Sequence, residues 1–470
     1  MAKSNGESER QRVPPPLIKH RIASGRGAME QPNVTHDGDA RLTPAFWLAV
    51  LLTGVATGLF GDFLMWILSL AERGAFNFHS GSFQDAVAAV SGPRRIGSLL
   101  VAGIFGALSW YLIRRYLRNE KSEIDEAVWS GSGDLSPRRS LLTSIVSEIV
   151  VGLGASIGRE AAPKLMGGAS GSVISGWFHL TSAQKRLLVA CGGGAGLAAV
   201  YNVPLGGAIF TAEVLYGSFA LPVVLPALAT SLIATVVAWI YLPNGATYPD
   251  IPHYRFSGSL MVWSLLAGII IGLLSVFYVR LISWVSHHRA KDAHIFWVMP
   301  LAFLVVGVLG LWYPQLFGNG KDMAHEAFLG ASSIGLLFAL FALKPFATAL
   351  TLGSGAAGGL FTPFLATGSV LGGFLGAAWL HLWPGTPLGA FALVGAAAMI
   401  GATMQAPLAG MVLVLELTHG GFSIMIPMLA ATVIATFLVR HIDGYSIYSA
   451  RLPQRALVVA LNTPGEIVDE

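Results

Sequence analysis

Long runs without a charged residue recur along the whole chain, and they are continuously apolar rather than alternating. The runs are Leu42–Gly61, Ile96–Ile113, Leu187–Ala212, Val214–Pro249, Phe256–Val279 and Pro345–Leu415. A helix of about 20 apolar residues spans the hydrocarbon core of a bilayer, so each half of the chain is expected to cross a membrane several times. A membrane barrel would need alternating segments of about 10 residues, which these runs are not. The pattern predicts an all-α polytopic membrane protein.

The composition agrees with a bilayer environment. Hydrophobic residues make up 54% of the chain and charged residues 11%, against roughly 25% charged residues in soluble domains. Basic residues lie in the N-terminal tail and in short loops, so the net charge of +4 predicts no nucleic-acid partner. The basic cluster within residues 114–121 and the basic tail indicate cytoplasmic faces.

The chain divides into three regions. Residues 1–43 hold seven Lys/Arg, five Asp/Glu and a Pro-Pro-Pro run, which is typical of a polar, disordered tail rather than a cleavable signal. Residues 44–455 are predicted to form the transmembrane domain, and residues 456–470 a short C-terminal tail. Only 22 residues follow Tyr448, too few for a regulatory domain.

The transmembrane domain contains an internal repeat. Glu213 lies nine residues after Pro204, and Glu416 lies nine residues after Pro407, within similar segments that are 203 residues apart. The segment 154–162 resembles 355–363, at a spacing of 201 residues and in the same order. The chain therefore consists of two related halves, about 44–245 and 256–455. Internal repeats of membrane proteins commonly place the substrate site where Gly- or Pro-interrupted helices of the two halves meet.

The interrupted segments predict an anion site. A helix that begins at Gly158 or Gly359 in mid-membrane has unpaired first N–H groups and about half a positive charge at that end. Glu160 lies in this site, where a buried carboxylate is costly and is a functional candidate by default. It either acts as a tethered anion that leaves when protonated, which makes transport pH-sensitive, or caps its own helix.

Three motifs make the sequence resemble the CLC chloride channel and transporter family. They are "GREAAP" at 158–163, "GGLFTP" at 358–363 and "IYSARL" at 447–452, and the resemblance covers about residues 44–455. It implies a fold of two inverted-topology repeats of tilted and interrupted helices, a homodimer with one pore per subunit, and a location in a bacterial inner membrane. It also implies chloride as the substrate, other small anions as further partners, and no cofactor.

The resemblance assigns roles to individual residues. Glu160 is the gating glutamate, and Arg159 and Ala161 flank it in the anion site. The amides of Leu360 and Phe361 and the hydroxyl of Tyr448 contact the central anion. The family motif usually continues Gly-Pro after the glutamate, whereas Ala161 and Ala162 follow here.

The stretch "SGSGDLSP" at 130–137 is similar to the family's anion-contacting serine loop, but its spacing is wrong. Only 28 residues separate Ser132 from Glu160, too few for a short helix followed by a membrane helix. Counting back from "GREAAP" predicts the short helix at Glu123–Trp129 and puts the anion-contacting position at Asn119. "SGSGDLSP" is then a loop between two helices. The text around Asn119 is closer to a ClcB-like bacterial subgroup, and the choice among chloride, nitrate and fluoride stays open.

The transport mode depends on the position that relays protons in the family's exchangers. That position is Val214, which cannot carry a proton, while the adjacent Glu213 points about 100° away on a helix. We therefore predict a passive channel gated by Glu160, with a proton-coupled chloride antiporter that uses Glu213 as the alternative. An enzyme is the remaining class, but His325-Glu326 lacks the second histidine of a zinc-protease motif, so no metal site is predicted.

Overall fold

A computed structural model describes residues 42–121, 123–129 and 131–452. Apart from Leu42 and Thr43, the predicted N-terminal tail lies outside the described residues, as does the predicted C-terminal tail. The described residues form 17 α-helices: α1 (Pro44–Phe76), α2 (Phe83–Ala89), α3 (Gly92–Tyr116), α4 (Ile124–Trp129), α5 (Pro137–Gly152), α6 (Ala161–Trp177), α7 (Ser182–Tyr201), α8 (Pro204–Phe210), α9 (Leu221–Ala238), α10 (Gly258–His287), α11 (Ile295–Leu309), α12 (Lys321–Leu329), α13 (Ile334–Gly353), α14 (Phe361–Leu380), α15 (Leu388–Met404), α16 (Pro407–Thr418) and α17 (Met425–Ile442).

Eight helical segments within the described residues are long and apolar enough to cross a membrane. They include the 33-residue α1 and the 30-residue α10. The prediction of an all-α polytopic membrane protein is confirmed. Most residues of α7 and α15, which are not among these eight segments, are buried.

The two repeated segments that run from Pro204 to Glu213 and from Pro407 to Glu416 are hydrogen-bonded to each other. The N-cap residues Val203 and Ala406 offer no side-chain acceptor to the first amides of α8 and α16, which would stay unpaired in an apolar interior. Glu416 accepts hydrogen bonds from the Leu205 and Gly206 amides at the start of α8. Reciprocally, Glu213 accepts from the Leu408 amide at 3.2 Å and from the Ala409 amide at 2.6 Å. The repeated glutamates thus join the two halves by a pair of exchanged helix caps.

Replacing either glutamate with alanine should destabilise the fold. Glu213→Ala or Glu416→Ala leaves two amides without their charged acceptor, and the expected loss is about 1–3 kcal/mol for each variant. The loss should appear as a lower unfolding temperature of the detergent-purified protein. Asp134→Ala is the control, because Asp134 forms an exposed ion pair with Lys185, and such pairs contribute about 1 kcal/mol or less. Equal unfolding temperatures for all three variants would contradict the exchanged caps.

The stretch "SGSGDLSP" is a connection, as predicted. Helix α4 begins at Ile124, one residue after the predicted start, and ends at Trp129 as predicted, while residues 131–136 lead to α5. Ser136 caps α5 by accepting a hydrogen bond from the Arg139 amide at 3.2 Å, and Pro137 occupies the first helical position. Serine followed by proline is a strong helix start because the hydroxyl pairs one free amide and proline has none to pair.

Candidate anion site

The two repeats meet at a pair of glycines that we call the glycine bridge, Gly158 and Gly359. The Gly158 amide donates to the Gly359 carbonyl at 2.8 Å, and the Gly359 amide donates to the Gly158 carbonyl at 2.7 Å. The bridge is antiparallel, so each glycine pairs with its own counterpart in the repeat. Gly154 and Gly355 precede it with φ of 108° and 97°, a backbone region that glycine adopts without strain.

The predicted helix starts at the two glycines were too early. Helix α6 begins at Ala161 and α14 begins at Phe361. The difference arises because the glycine amides are already paired across the bridge and no longer belong to the helix ends. The free amides that attract anions are therefore those of the residues that follow the glycines.

The Glu160 carboxylate occupies the start of the opposite repeat's helix. Its Oε1 accepts a hydrogen bond from the Phe361 amide at 2.8 Å. Glu160 is the N-cap residue of α6 but makes no side-chain capping bond to it. Its side chain is 2% exposed. The carboxylate thus lies where the dipole of α14 is most attractive to an anion.

Two hydroxyls that the sequence did not single out complete the environment of this carboxylate. The Tyr201 and Thr362 hydroxyls each lie 3.1 Å from Glu160 Oε2 and 2.6 Å from one another. Thr362 directly follows Phe361 in "GGLFTP", so its proximity could have been read from the motif. Tyr201 ends α7, and nothing in its local sequence connects it with Glu160.

Glu160 lines one of two cavities near the bridge, and its neighbour Arg159 lines the other. The inner cavity, about 190 Å³, is lined by Glu160 together with residues that include Ala161, Lys164, Leu360 and Tyr448. The outer cavity is lined by residues that include Glu72, Arg159, Lys321 and Asp322. The first cavity also contains Arg114, Arg139, Arg289 and Arg451, and we call it inner because Arg114 belongs to the basic cluster that was predicted to face the cytoplasm.

The structure brings most of the predicted anion-site residues together. Ala161, Leu360 and Tyr448 line the inner cavity with Glu160, and Phe361 binds the carboxylate. Within the described part of the chain, the Tyr448 hydroxyl has only the Met404 sulfur, 4.0 Å away, as a partner. Arg159 instead points to the outer cavity, where its guanidinium carbon lies 5.3 Å from the centre of the Tyr201 ring.

Asn119 is not brought into the site. It is exposed in the turn after α3 and does not line the inner cavity. The reason is that Arg139, at the start of α5, donates hydrogen bonds to the carbonyls of Leu117, Arg118 and Glu120. These bonds hold the turn against α5. Counting residues along the chain predicted the position of the short helix α4 correctly, but it could not predict which way the turn that contains Asn119 faces.

The two candidate proton-relay residues lie away from Glu160. Val214 is 7% exposed in a π-helical segment, Thr211–Tyr216, and is not part of the inner-cavity lining. Glu213 is occupied with the cap of α16. Neither side chain contacts the Glu160 carboxylate within the described residues.

Sequence reasoning missed two ionisable side chains in the inner cavity. Lys164 and Asp125 both line it. Lys164 follows Glu160 by four residues inside an apolar helix, and a basic residue in such a position is a functional candidate by default. That signal could have identified Lys164. Asp125 could not be identified in the same way, because it lies on the short helix α4 beside other acidic residues.

Comparisons with known proteins identify relatives of this chain. Residues 105–440 match the family described as voltage gated chloride channel. A putative chloride channel protein, ClcB-like, of Ralstonia nicotianae is 33% identical over 70% of this chain and 78% of its own length. An H(+)/Cl(-) exchange transporter, ClcA, of Yersinia pestis bv. Antiqua is 33% identical over 64% of this chain and 65% of its own length. The crystal structure of a slow cyanobacterial Cl-/H+ antiporter has the same fold, with a TM-score of 0.78 at 24% identity over 89% of this chain and 99% of that one.

Proposed function

Because the chain belongs to the CLC family of anion channels and transporters, we propose that it exchanges chloride for protons across a bacterial membrane, with Glu160 serving both ions. The observation that carries the proposal is the Glu160 carboxylate bound to the Phe361 amide at 2.8 Å. A carboxylate in this place and a chloride ion compete for the same helix start. Protonation neutralises the carboxylate and releases the site to chloride, so proton binding and anion binding are linked at one residue.

Glu160 is positioned to receive a proton without a side-chain relay at Val214. The inner cavity reaches Glu160 and carries several charged groups, so it favours water. A proton can then arrive through water in this cavity. The apolar Val214 therefore does not exclude exchange, which was the reason for preferring a channel from sequence alone.

Relatives at 33% identity bear both kinds of name, exchange transporter and chloride channel. A carboxylate that lines the inner cavity and binds the start of α14 supports the exchange alternative better than the passive channel first predicted. The channel remains the second candidate, and the observation that favours it is the buried, apolar Val214 at the relay position.

The deciding experiment is chloride efflux from liposomes that contain the purified protein, with external pH recorded simultaneously. We expect chloride efflux to be accompanied by proton uptake in a fixed ratio, and we expect a proton gradient to drive chloride uphill. Empty liposomes with an ionophore give the uncoupled baseline. Chloride efflux without proton movement would replace the exchanger by the channel.

We propose in addition a homodimer in the bacterial inner membrane. Apolar side chains stay exposed beside the exchanged caps, on α8 and α16 (Leu205 46%, Leu408 42%). Further exposed apolar residues lie on α9 and α17, including Leu232 and Phe437. These helices form one apolar side that a second copy would cover, and the mass of the detergent-solubilised protein tests this.

A further inference from the structure

Lys164 places a full positive charge beside the predicted anion site. Its Nζ lies 4.6 Å from the centre of the Tyr448 ring and 4.8 Å from the centre of the Phe210 ring. The two rings also pack edge to face, with centres 5.9 Å apart. Ring faces attract cations, so these contacts hold the ammonium at the wall of the inner cavity next to Tyr448.

The position of Lys164 on its helix is electrostatically unfavourable. It lies in the first turn of α6, where its amide donates to the Glu160 carbonyl at 3.2 Å. The positive end of a helix dipole repels a cation. Asp125 and Glu160 are the acidic groups whose fields offset this repulsion, while Arg451 adds to it. A charge in such surroundings is best accommodated by a further anion.

Three of the four arginines that line the inner cavity already contact other groups. Arg139 binds three loop carbonyls, Arg114 donates to the Gly355 carbonyl, and Arg289 lies 3.9 Å from Glu123. Within the described residues, the Lys164 ammonium has no hydrogen-bond or ion-pair partner. The same holds for buried atoms nearby, Asp125 Oδ1 and Arg451 Nε. The ammonium therefore retains its donors for a ligand in the cavity.

We propose that the Lys164 ammonium is a charged ligand for a chloride ion in the inner cavity, beside the Tyr448 hydroxyl. It supplies from α6 the polar contact that the sequence had assigned to Asn119. This inference rests on anion transport, which the proposed function includes, but not on proton coupling. Because a full charge holds an anion more strongly than amide dipoles do, the site should bind chloride tightly and release it slowly.

The test is calorimetric chloride titration of the purified full-length protein and two variants. Lys164→Met keeps most of the side-chain volume and removes the charge, and it should raise the chloride dissociation constant roughly tenfold or more. Lys164→Arg keeps the charge and should change the constant only a few-fold. Unchanged binding in Lys164→Met would overturn the proposal.

A double variant separates a ligand from a mere counter-ion of Asp125. If Lys164 only neutralises Asp125, then Lys164→Met/Asp125→Asn should regain wild-type affinity, and that result would also overturn the proposal. If Lys164 binds chloride itself, the double variant should stay weak. Should Lys164→Met fail to fold, bromide-soaked crystals of the unaltered protein decide: anomalous density within hydrogen-bond distance of Nζ supports the site, and its absence removes it.

The outcome is independent of the transport mode. If the protein moves chloride without protons but Lys164→Met lowers its chloride affinity, the role of Lys164 as a ligand is supported and the exchange function is wrong. If transport is coupled to protons but Lys164→Met leaves the chloride affinity unchanged, the exchange function is supported and the role of Lys164 as a ligand is wrong.

Discussion

Chloride should pass through the Glu160→Ala protein without protons, and faster than through the unaltered protein. Alanine removes the carboxylate that is bonded to the Phe361 amide, which is both the tethered anion competing for the start of α14 and the proposed proton carrier. Proton uptake in the liposome assay should fall to background, chloride efflux should rise severalfold, and its dependence on external pH should disappear. Parallel recording of chloride and pH on the same vesicles measures all three.

Two further variants of Glu160 identify the chemical reason. Glu160→Gln keeps the shape but cannot ionise, so it should resemble the permanently protonated state, with chloride flux and no proton coupling. Glu160→Asp keeps the carboxylate on a shorter side chain, so it should retain some pH dependence while closing the site less well. If Glu160→Gln still transports protons in a fixed ratio, another residue is the proton carrier and the exchange mechanism proposed for Glu160 is wrong.

Matching residues along the chain predicted which parts of the two halves correspond, and the structure shows that the corresponding parts touch. Gly158 and Gly359 were paired by sequence similarity, and they are bonded to each other. Glu213 and Glu416 were paired in the same way, and they exchange caps. Similarity between repeats could not predict this contact, because it tells which residues are equivalent and not whether a two-fold relation brings them together.

Asn119 and Lys164 illustrate what residue counting cannot supply. The count placed α4 within one residue, since helix lengths are limited by the available chain. The side chain that reaches the inner cavity, however, depends on how the turn after α3 is held, and Arg139 holds it from a distant part of the sequence. Lys164 reaches the inner cavity instead, because α6 directs its side chain toward Tyr448, a residue 284 positions later in the chain.

The glycine bridge itself should control the gate. A Cβ at Gly359 would lie 1.9 Å from Glu160 Oε1, and one at Gly158 would lie 2.3 Å from both carboxylate oxygens. These separations are far below van der Waals contact, so Gly359→Ala cannot coexist with the observed position of the carboxylate. We expect Gly359→Ala to conduct chloride with proton coupling greatly reduced, like Glu160→Ala. Gly176→Ala is the matched control, because a Cβ there meets nothing within 4 Å.

Combining the two changes distinguishes expulsion of the carboxylate from general damage. If Gly359→Ala acts by displacing Glu160, adding it to Glu160→Ala should change chloride flux little, since the effects of substitutions at contacting residues do not add. If the alanine instead deforms the bridge, the double variant should lose flux and unfold at a lower temperature than Glu160→Ala alone. The alanine leaves both backbone hydrogen bonds of the bridge available, so we expect the first result. A glycine would then be required on each side of the bridge because the anion, or the carboxylate that replaces it, fills the space of a side chain.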